Sequence, residues 1–237
     1  MTPPSNPPYY AWLMLAGIGV SLFLWYRLAR REARLVPIYL GGLFGAAIGA
    51  KVLYLLAEGW LDYGQPDQWL RWATGKTVLG ALAGGYAGVE WVKRIVKYPQ
   101  ATGDLFASVA PVGIILGRIG CLLQGCCLGA VCEHSAWWTL ADRHGHPRWP
   151  AVPAEIAFNV TALAAFAVLR ARRLLPGQHF HLYLIGYGAF RFVHEFWRDT
   201  PRIAVGLSGY HFASLALVGF AAWRFRQRSR LATSSPG

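Results

Sequence analysis

Apolar residues gather along this chain into seven stretches of roughly 20 residues, and the segments between them hold most of the charged and turn-forming residues. The stretches cover residues 9–26, 36–56, 77–96, 103–123, 151–169, 181–197 and 204–223. A helix of about 20 apolar residues crosses the hydrocarbon core of a bilayer. The pattern predicts an all-α integral membrane protein with seven transmembrane helices, in which residues 1–228 form a single membrane domain.

The composition and the placement of charge agree with a membrane protein. Of the residues, 55% are hydrophobic and only 14% are charged. The formal net charge is +12, and 14 of the 23 lysines and arginines follow the first, third, fifth and seventh stretches. The positive-inside rule makes that side cytoplasmic, so we predict an outward N-terminus and a cytoplasmic C-terminus. Because these basic residues flank apolar stretches and do not line a groove with interleaved aromatic residues, we expect no nucleic-acid partner.

The segments outside the apolar stretches differ in composition. Residues 124–150 carry three tryptophans and three histidines and predict a small periplasmic head. Residues 58–76 also contain three tryptophans, which suits either a helix lying in the membrane interface or an aromatic belt. No basic residue precedes the first stretch, so we expect no cleavable signal peptide. Residues 229–237 are small and polar and predict a disordered cytoplasmic tail.

Small residues recur at intervals of four in the third stretch. Gly80, Gly84 and Gly88 would lie on one face of a helix, where they let a second helix approach closely. No lysine or strand pattern follows them, so we interpret the glycines as packing positions and not as a phosphate-binding loop.

Several polar residues fall within or at the edge of the apolar stretches, where they are costly and often functional. They are Lys51, Glu90, Asp104, Arg118, Glu155, Arg191, His194 and Glu195. Glu90 is one turn from basic residues, and Asp104 begins an apolar stretch where a carboxylate suits a helix N-terminus. We expect those two to be structural.

The sixth stretch carries the strongest polar pattern. Tyr187, Arg191, His194, Glu195 and Arg198 would lie within an arc of about 100° on one continuous helix. An ion pair between Arg191 and Glu195 would explain one pair of charges. That pair would leave Lys51, Arg118 and Arg198 without anions. We predict a negatively charged ligand, and a phospholipid headgroup is the anion that the planar guanidinium fork suits at that depth.

Two ordered motifs resemble those of the bacterial prolipoprotein diacylglyceryl transferases. The family signature Gly-Arg-x-Gly-Asn-Phe-x-Asn-x-Glu-x-x-Gly falls on residues 117–129 and is matched at Gly117, Arg118, Gly120 and Gly129. The motif Tyr-Gly-x-x-Arg-Phe-x-x-Glu-x-x-Arg is complete as Tyr187, Gly188, Arg191, Phe192, Glu195 and Arg198. Weaker matches place Lys51, Asp104, Arg148 and Glu155 at family positions.

The resemblance implies a seven-span enzyme of the bacterial inner membrane that needs no cofactor. Such enzymes move a diacylglyceryl group from phosphatidylglycerol to the thiol of a lipobox cysteine in a prolipoprotein. By resemblance, Arg118 and Arg191 would hold the phosphate and stabilise the leaving oxygen. By the same resemblance, Tyr187 and Gln124 would donate hydrogen bonds to the headgroup. The arginines would be oriented by Glu155, Glu195 and Arg198. Substrate binding would also involve Lys51, Gly117 and Gly129.

The chain departs from the family pattern where the thiol proton is handled. Family members carry a histidine in the third span, and Leu79 stands at that position here. Leu79 cannot move a proton, so another base is needed. His194 is our candidate, with His211 as the alternative.

Four cysteines lie in or just after the first motif, at Cys121, Cys126, Cys127 and Cys132. Two of them stand where the family has Asn and Glu. Their spacing does not match paired Cys-x2-Cys ligation, and we predict no metal site. A disulfide, ordinary buried residues and a thiol that carries a lipid during turnover all stay open.

Two further functions are compatible with this sequence. A paralogue could transfer the same group to a different acceptor, and a non-catalytic membrane protein could bind an anionic phospholipid through the same arginines. A redox membrane protein is disfavoured, because no haem, quinone or thioredoxin-type motif accompanies the cysteines.

Overall fold

The computed structural model describes residues 8–30, 32–142 and 144–233. These residues are mostly helical, as predicted. The α-helices are α1 (Pro8–Ala29), α2 (Leu35–Ala57), α3 (Gln68–Thr74), α4 (Val78–Ile95), α5 (Gly103–Gln124), α6 (Ala151–Ala171), α7 (His179–His194) and α8 (Gly209–Thr233). Two 3-10 turns cover Gly59–Asp62 and Glu195–Trp197, and two short strands, β1 (Leu140–Ala141) and β2 (Pro147–Arg148), pair antiparallel.

Each predicted span corresponds to a helix, but the helices differ in length and apolarity. Among the described residues, α2, α5 and α6 are long and apolar enough to cross a membrane. Helix α7 has only 16 residues, and its polar face lowers its apolarity. The structure supports a helical, multi-pass membrane protein, and the seven-span count and the orientation stay predictions.

The ends of the chain differ from the expected layout at one point. Helix α8 runs to Thr233, so the predicted disorder from residue 229 is wrong for residues 229–233. Residues 234–237 lie outside the described residues, as do residues 1–7.

The fold divides into two compact units made of discontinuous segments. The first unit contains the described parts of Met1–Arg27, Leu105–Leu174 and Phe196–Asp199. The second contains the described parts of Leu28–Asp104, Leu175–Glu195 and Thr200–Gly237. That the two act as one membrane domain stays a prediction.

Glycines bring α2 and α4 into backbone contact in the second unit. Gly41, Gly45 and Gly49 of α2 face Gly88, Gly84 and Gly80 of α4. A methyl carbon added to Gly84 would stand 2.8 Å from the Cα of Gly49, and one added to Gly45 would stand 3.0 Å from the Cα of Gly88. The predicted close packing is confirmed, and α2 supplies the matching glycine row that the sequence analysis did not single out.

A second glycine contact sets the approach of α8 to α7. A methyl carbon on Gly188 would lie 2.7 Å from Val218 Cγ2 and 3.2 Å from the carbonyl oxygen of Ser214. The glycine directly follows Tyr187, whose side chain is fully buried. Close packing therefore holds the polar residues of α7 against α8.

The segment between α2 and α4 forms a short helix, as one of the two predicted alternatives requires. Helix α3 buries none of its residues, and Trp69 is largely exposed. Trp72 donates from Nε1 to the carbonyl oxygen of Gly59 at 2.6 Å, which ties α3 to the preceding 3-10 turn. Placement of α3 in the membrane interface stays a prediction.

A carboxylate organises the hairpin between α5 and α6. Asp142 Oδ1 accepts the backbone N–H groups of His144 and His146, both at 2.9 Å, and Oδ2 accepts Nε of Arg148 at 3.0 Å. Burial would raise the pKa of Asp142, but the backbone donors and Arg148 outweigh it and lower the pKa of this carboxyl below its ordinary value. Arg148 also reaches Asp199 at 3.0 Å.

We expect the α2–α4 contact to respond to one added methyl group. Gly84→Ala should lower the thermal midpoint of the detergent-solubilised protein, with a loss of about 1–3 kcal/mol, because backbone atoms cannot move aside cheaply. Gly219→Ala is the control, since no described atom lies within 4 Å of an added methyl there. At that site the substitution should be neutral or stabilising. Equal stability of the two variants would contradict the packing.

The hairpin should loosen in acid. A carboxyl whose folded pKa is lowered stabilises the fold above its unfolded pKa of about 3.9, and that contribution is lost as the pH falls towards the folded pKa. We expect amide exchange at His144 and His146, corrected for intrinsic rates, to accelerate as the pH falls below about 4. Asp142→Asn should remove most of this pH dependence, whereas Glu133→Gln in the same segment should leave it intact.

Candidate functional site

The first unit contains a buried ion pair between two predicted site residues. Arg118 lies near the end of α5, and Glu155 lies in the second turn of α6. Arg118 Nη2 is 2.9 Å from Glu155 Oε2, and the carboxylate is fully buried. Asn159 donates from Nδ2 to the backbone oxygen of Glu155 at 2.8 Å. Removing one partner of such a pair costs about 3–5 kcal/mol of folding free energy, because the other charge is left buried and unpaired. Glu155 therefore holds the guanidinium of Arg118 in place.

The same end of α5 carries the neighbouring motif residues. Gly117 directly precedes Arg118, and Gln124 is the last residue of the helix. Arg118 Nη1 also lies 4.0 Å from the sulfur of Cys121, one turn further along. One guanidinium therefore contacts both a carboxylate and a thiol.

Gly129 has a packing role that explains why the motif places glycine there. Its N–H donates to the carbonyl oxygen of Trp149 at 3.0 Å, and its backbone pairs with Arg198 in an isolated bridge. A methyl carbon would lie 2.6 Å from Trp149 Cβ and 2.8 Å from the carbonyl oxygen of Trp197. The rings of Trp149 and Trp197 stack at 5.3 Å. This close packing explains why residue 129 is a glycine. The part of Gly129 in substrate binding stays a prediction.

Arg198 does not lie on the helical face predicted for it. Helix α7 ends at His194, and Glu195–Trp197 form a 3-10 turn. Pro201 lies beyond the turn and disfavours helix at Thr200, so the helix does not resume there. Arg198 instead pairs with Gly129 in the first unit, so only Tyr187, Arg191 and His194 of the predicted row lie on α7.

The second unit contains its own arginine–carboxylate pair. Arg191 Nη2 is 2.7 Å from Glu195 Oε2, four residues later, and Glu195 is fully buried. Glu195 Oε1 accepts the hydroxyls of Thr200 at 2.6 Å and Ser208 at 3.1 Å. The guanidinium carbon of Arg191 also lies 5.7 Å from the ring centre of Tyr210. These contacts leave the carboxylate little freedom, so Arg191 is held in one orientation.

One nitrogen of that guanidinium is buried without an acceptor. Arg191 Nη1 has no hydrogen-bond partner among the described residues. A buried charged donor normally finds a partner, because losing its hydrogen bonds to water costs free energy. The arrangement suits a ligand with a negatively charged oxygen.

The two histidines considered as bases are both buried, but in different surroundings. The ring of His194 stacks on Phe190 at 4.9 Å. His211 accepts the N–H of Ser208 at Nδ1, at 3.1 Å. Leu79, at the family histidine position, is buried, and its side chain cannot accept a proton. Tyr187 packs against Tyr183 with ring centres 6.0 Å apart.

Lys51 has carbonyl partners where an anion was predicted. Its ammonium group donates to the backbone oxygens of Ala73 and Gly75, each at 2.9 Å, and to that of Trp72. These carbonyls belong to the C-terminal end of α3, where a cation is favoured. Since Glu155 and Glu195 also pair with the arginines, the excess of cations inferred from the sequence largely disappears.

Sequence reasoning missed the neutral residues that support the two arginine–carboxylate pairs. Thr200, Ser208 and Asn159 carry neutral side chains that no charge pattern selects. Tyr210 donates to Glu58 Oε2 at 2.7 Å, a contact between residues 152 positions apart.

The chain matches known proteins along most of its length. Residues 4–225 match the family model of the prolipoprotein diacylglyceryl transferases. Two relatives carry the name phosphatidylglycerol–prolipoprotein diacylglyceryl transferase. The protein from Paracidovorax citrulli is 27% identical over 93% of this chain and 91% of its own length. The protein from Dehalococcoides mccartyi is 32% identical over 77% of this chain and 72% of its own length. A protein numbered 2 under this name, from Clostridium perfringens, is 28% identical over 84% of this chain and 82% of its own. Because the match runs through both arginine-bearing helices, the chain belongs to the prolipoprotein diacylglyceryl transferase family.

Proposed function

We propose that this protein transfers a diacylglyceryl group from phosphatidylglycerol to the thiol of a lipobox cysteine in a prolipoprotein. The observation that carries the proposal is the buried Nη1 of Arg191, beside a carboxylate already fixed by two hydroxyls. A phosphodiester oxygen is the acceptor that such a guanidinium suits. The names of the relatives supply the donor and the acceptor.

The proposal includes a placement in the membrane. In the proposed topology the chain has seven spans, an outward N-terminus, a cytoplasmic C-terminus and a periplasmic head at residues 124–150. This topology would put the C-terminal ends of α5 and α7 towards the outer leaflet of a bacterial inner membrane. The basic clusters that follow alternate apolar stretches support this orientation. Both arginines would then lie near headgroup depth.

The reaction is a displacement at a glycerol carbon. The acceptor thiol loses its proton to a base, and its sulfur forms a bond to the terminal glycerol carbon of the diacylglyceryl group. The bond from that carbon to the phosphate oxygen breaks, and its electron pair leaves with glycerol phosphate. Arg118 and Arg191 are each proposed to stabilise the charge on the leaving group, with Tyr187 and Gln124 as hydrogen-bond donors.

The carboxylates have a distinct part in this proposal. Glu155 and Glu195 touch the arginines and are positioning residues. Charge-assisted hydrogen bonds hold each guanidinium before the lipid arrives, which lowers the cost of binding. Lys51, through its ammonium group, and Gly129, through its close packing, would support the substrate site.

Of the two histidines, His194 is the better candidate base. Nδ1 of His211 accepts a backbone N–H, so the neutral ring of His211 carries its proton on Nε2 and has no lone pair there to take another. His194 lies on α7 three residues after Arg191, and its ring stacks on Phe190.

The assay that tests the function uses the full chain in nanodiscs, phosphatidylglycerol labelled in its acyl chains and a lipobox peptide. We expect label on the peptide thiol and release of glycerol phosphate. Arg191→Lys and Glu195→Gln should each reduce turnover, the first by about 100-fold, because lysine lacks the planar fork. Arg226→Lys, an exposed position on α8, is the matched control. Glycerol phosphate release without labelled peptide would indicate another acceptor, and bound but unconsumed lipid would indicate a binding protein.

The base is tested separately. His194→Ala should lower turnover by about 100-fold at neutral pH and less at high pH, where the acceptor thiol ionises without help. His134→Ala, an exposed position, is the control. A thermal midpoint unchanged from wild type would exclude misfolding as the cause. Wild-type turnover in His194→Ala would rule His194 out as the base.

A further inference from the structure

Three of the four cysteines form a compact triangle at the end of α5. The sulfurs of Cys121, Cys126 and Cys127 all lie within 4.8 Å of one another. Cys121 and Cys126 are half-buried, and Cys127 is exposed. All three belong to the first unit, and the proposed transfer reaction uses none of them.

The backbone explains why these sulfurs meet. The N–H of Cys126 donates to the carbonyl oxygen of Cys121 at 3.1 Å, and the N–H of Gly125 donates to that of Leu122 at 3.0 Å. Gly125 has φ of 61°. These are the two hydrogen bonds and the left-handed residue of a Schellman helix end, which folds Cys126 back against Cys121.

The third sulfur is brought in by an unfavourable backbone conformation. Cys127 has φ of 60°, the left-handed region that residues with a Cβ rarely adopt. A non-glycine residue held there costs free energy on the order of 1 kcal/mol, and such strain concentrates at functional sites. Four other described residues with a Cβ adopt this region as well (Lys97, Arg173, Leu175 and Val205), so the conformation brings in the third sulfur but does not by itself mark a site.

The size of the triangle suits a single metal ion. Three sulfurs each about 2.3 Å from a central ion lie about 4.0 Å apart, so each pair needs to close by less than about 1 Å. A disulfide joins only two sulfurs, and adjacent cysteines rarely pair with each other, so it leaves the third thiol unexplained. A lipid carrier would form a thioether, which is a poor leaving group and could not pass the lipid on.

The chemistry of the three donors selects the class of ion. Thiolates favour soft cations, and zinc in structural sites takes four ligands. In the described part of the chain, no histidine or carboxylate joins the three thiols as a fourth ligand. Arg118 lies 4.0 Å from the sulfur of Cys121 and offsets part of the negative charge that three thiolates bring.

We propose that Cys121, Cys126 and Cys127 form a three-thiolate site for a soft, closed-shell cation, with Cu(I) as the matching ion. On binding, the thiols release up to three protons to solvent, and copper stays in the Cu(I) state, so no electron transfer is involved. The ion would clamp the end of α5 to the start of the segment that leads to α6. The proposal is independent of lipid transfer.

The test uses the reduced full-length protein in nanodiscs, without lipid substrate or peptide. Titration with Cu(I) against a chromophoric chelator under anaerobic conditions should show one ion bound per chain. X-ray absorption should show three sulfur neighbours at about 2.3 Å. Cys127→Ser should weaken binding at least about 100-fold, because it removes a direct ligand.

Cys132→Ser is the matched control, because Cys132 lies outside the triangle, and it should bind Cu(I) like the wild type. Alkylation followed by intact mass should count four free thiols in the reduced protein without metal. Binding that survives the triple replacement of Cys121, Cys126 and Cys127 by serine, or that depends on Cys132, would overturn the proposal. So would two sulfur neighbours in place of three, or no stoichiometric binding.

Discussion

The burial of positive charge among apolar helices is the constraint on which the rest of this structure depends. An arginine side chain taken from water loses solvation worth several kcal/mol, and only a well-placed anion or an array of hydrogen bonds repays that loss. Arg118 and Arg191 each meet a fully buried carboxylate at hydrogen-bond distance. Because each pair requires a fixed geometry, the end of α5 must meet the start of α6, and α7 must end where Glu195 can turn back to Arg191.

The surroundings of the two carboxylates show how this constraint is met. Glu195 has two hydroxyl donors besides its arginine, so its remaining lone pairs are occupied by neutral groups. Both hydroxyls come from the loop between the 3-10 turn and α8, and close packing of α8 over Gly188 helps to bring that loop back to α7. The hydrogen bonds that stabilise the Glu195 carboxylate therefore depend on the small size of Gly188.

The sequence predicts this architecture wherever a short-range pattern carries the information. Apolar stretches mark the helices, a glycine spacing of four marks the α2–α4 contact, and the spacing of Arg191 and Glu195 marks their pair. The partners of Lys51 and Arg198 were not predictable in this way. Lys51 caps a helix that begins 17 residues later, and Arg198 pairs with a backbone 69 residues earlier. Such contacts depend on tertiary packing, which charge counting does not describe.

The cysteines bear on how the proposed lipid site would be built. In the family signature, the positions of Cys121 and Cys126 hold an asparagine and a glutamate, which offer strong hydrogen-bonding groups to a polar headgroup. A thiol is a weak donor and a weak acceptor, so the exchange would leave more of the proposed recognition to Arg118 and Arg191. The Schellman helix end needs only Gly125, and it would form equally well around the family residues. Turn geometry alone therefore does not account for three thiols there, and the ligand chemistry that we propose for the sulfurs does.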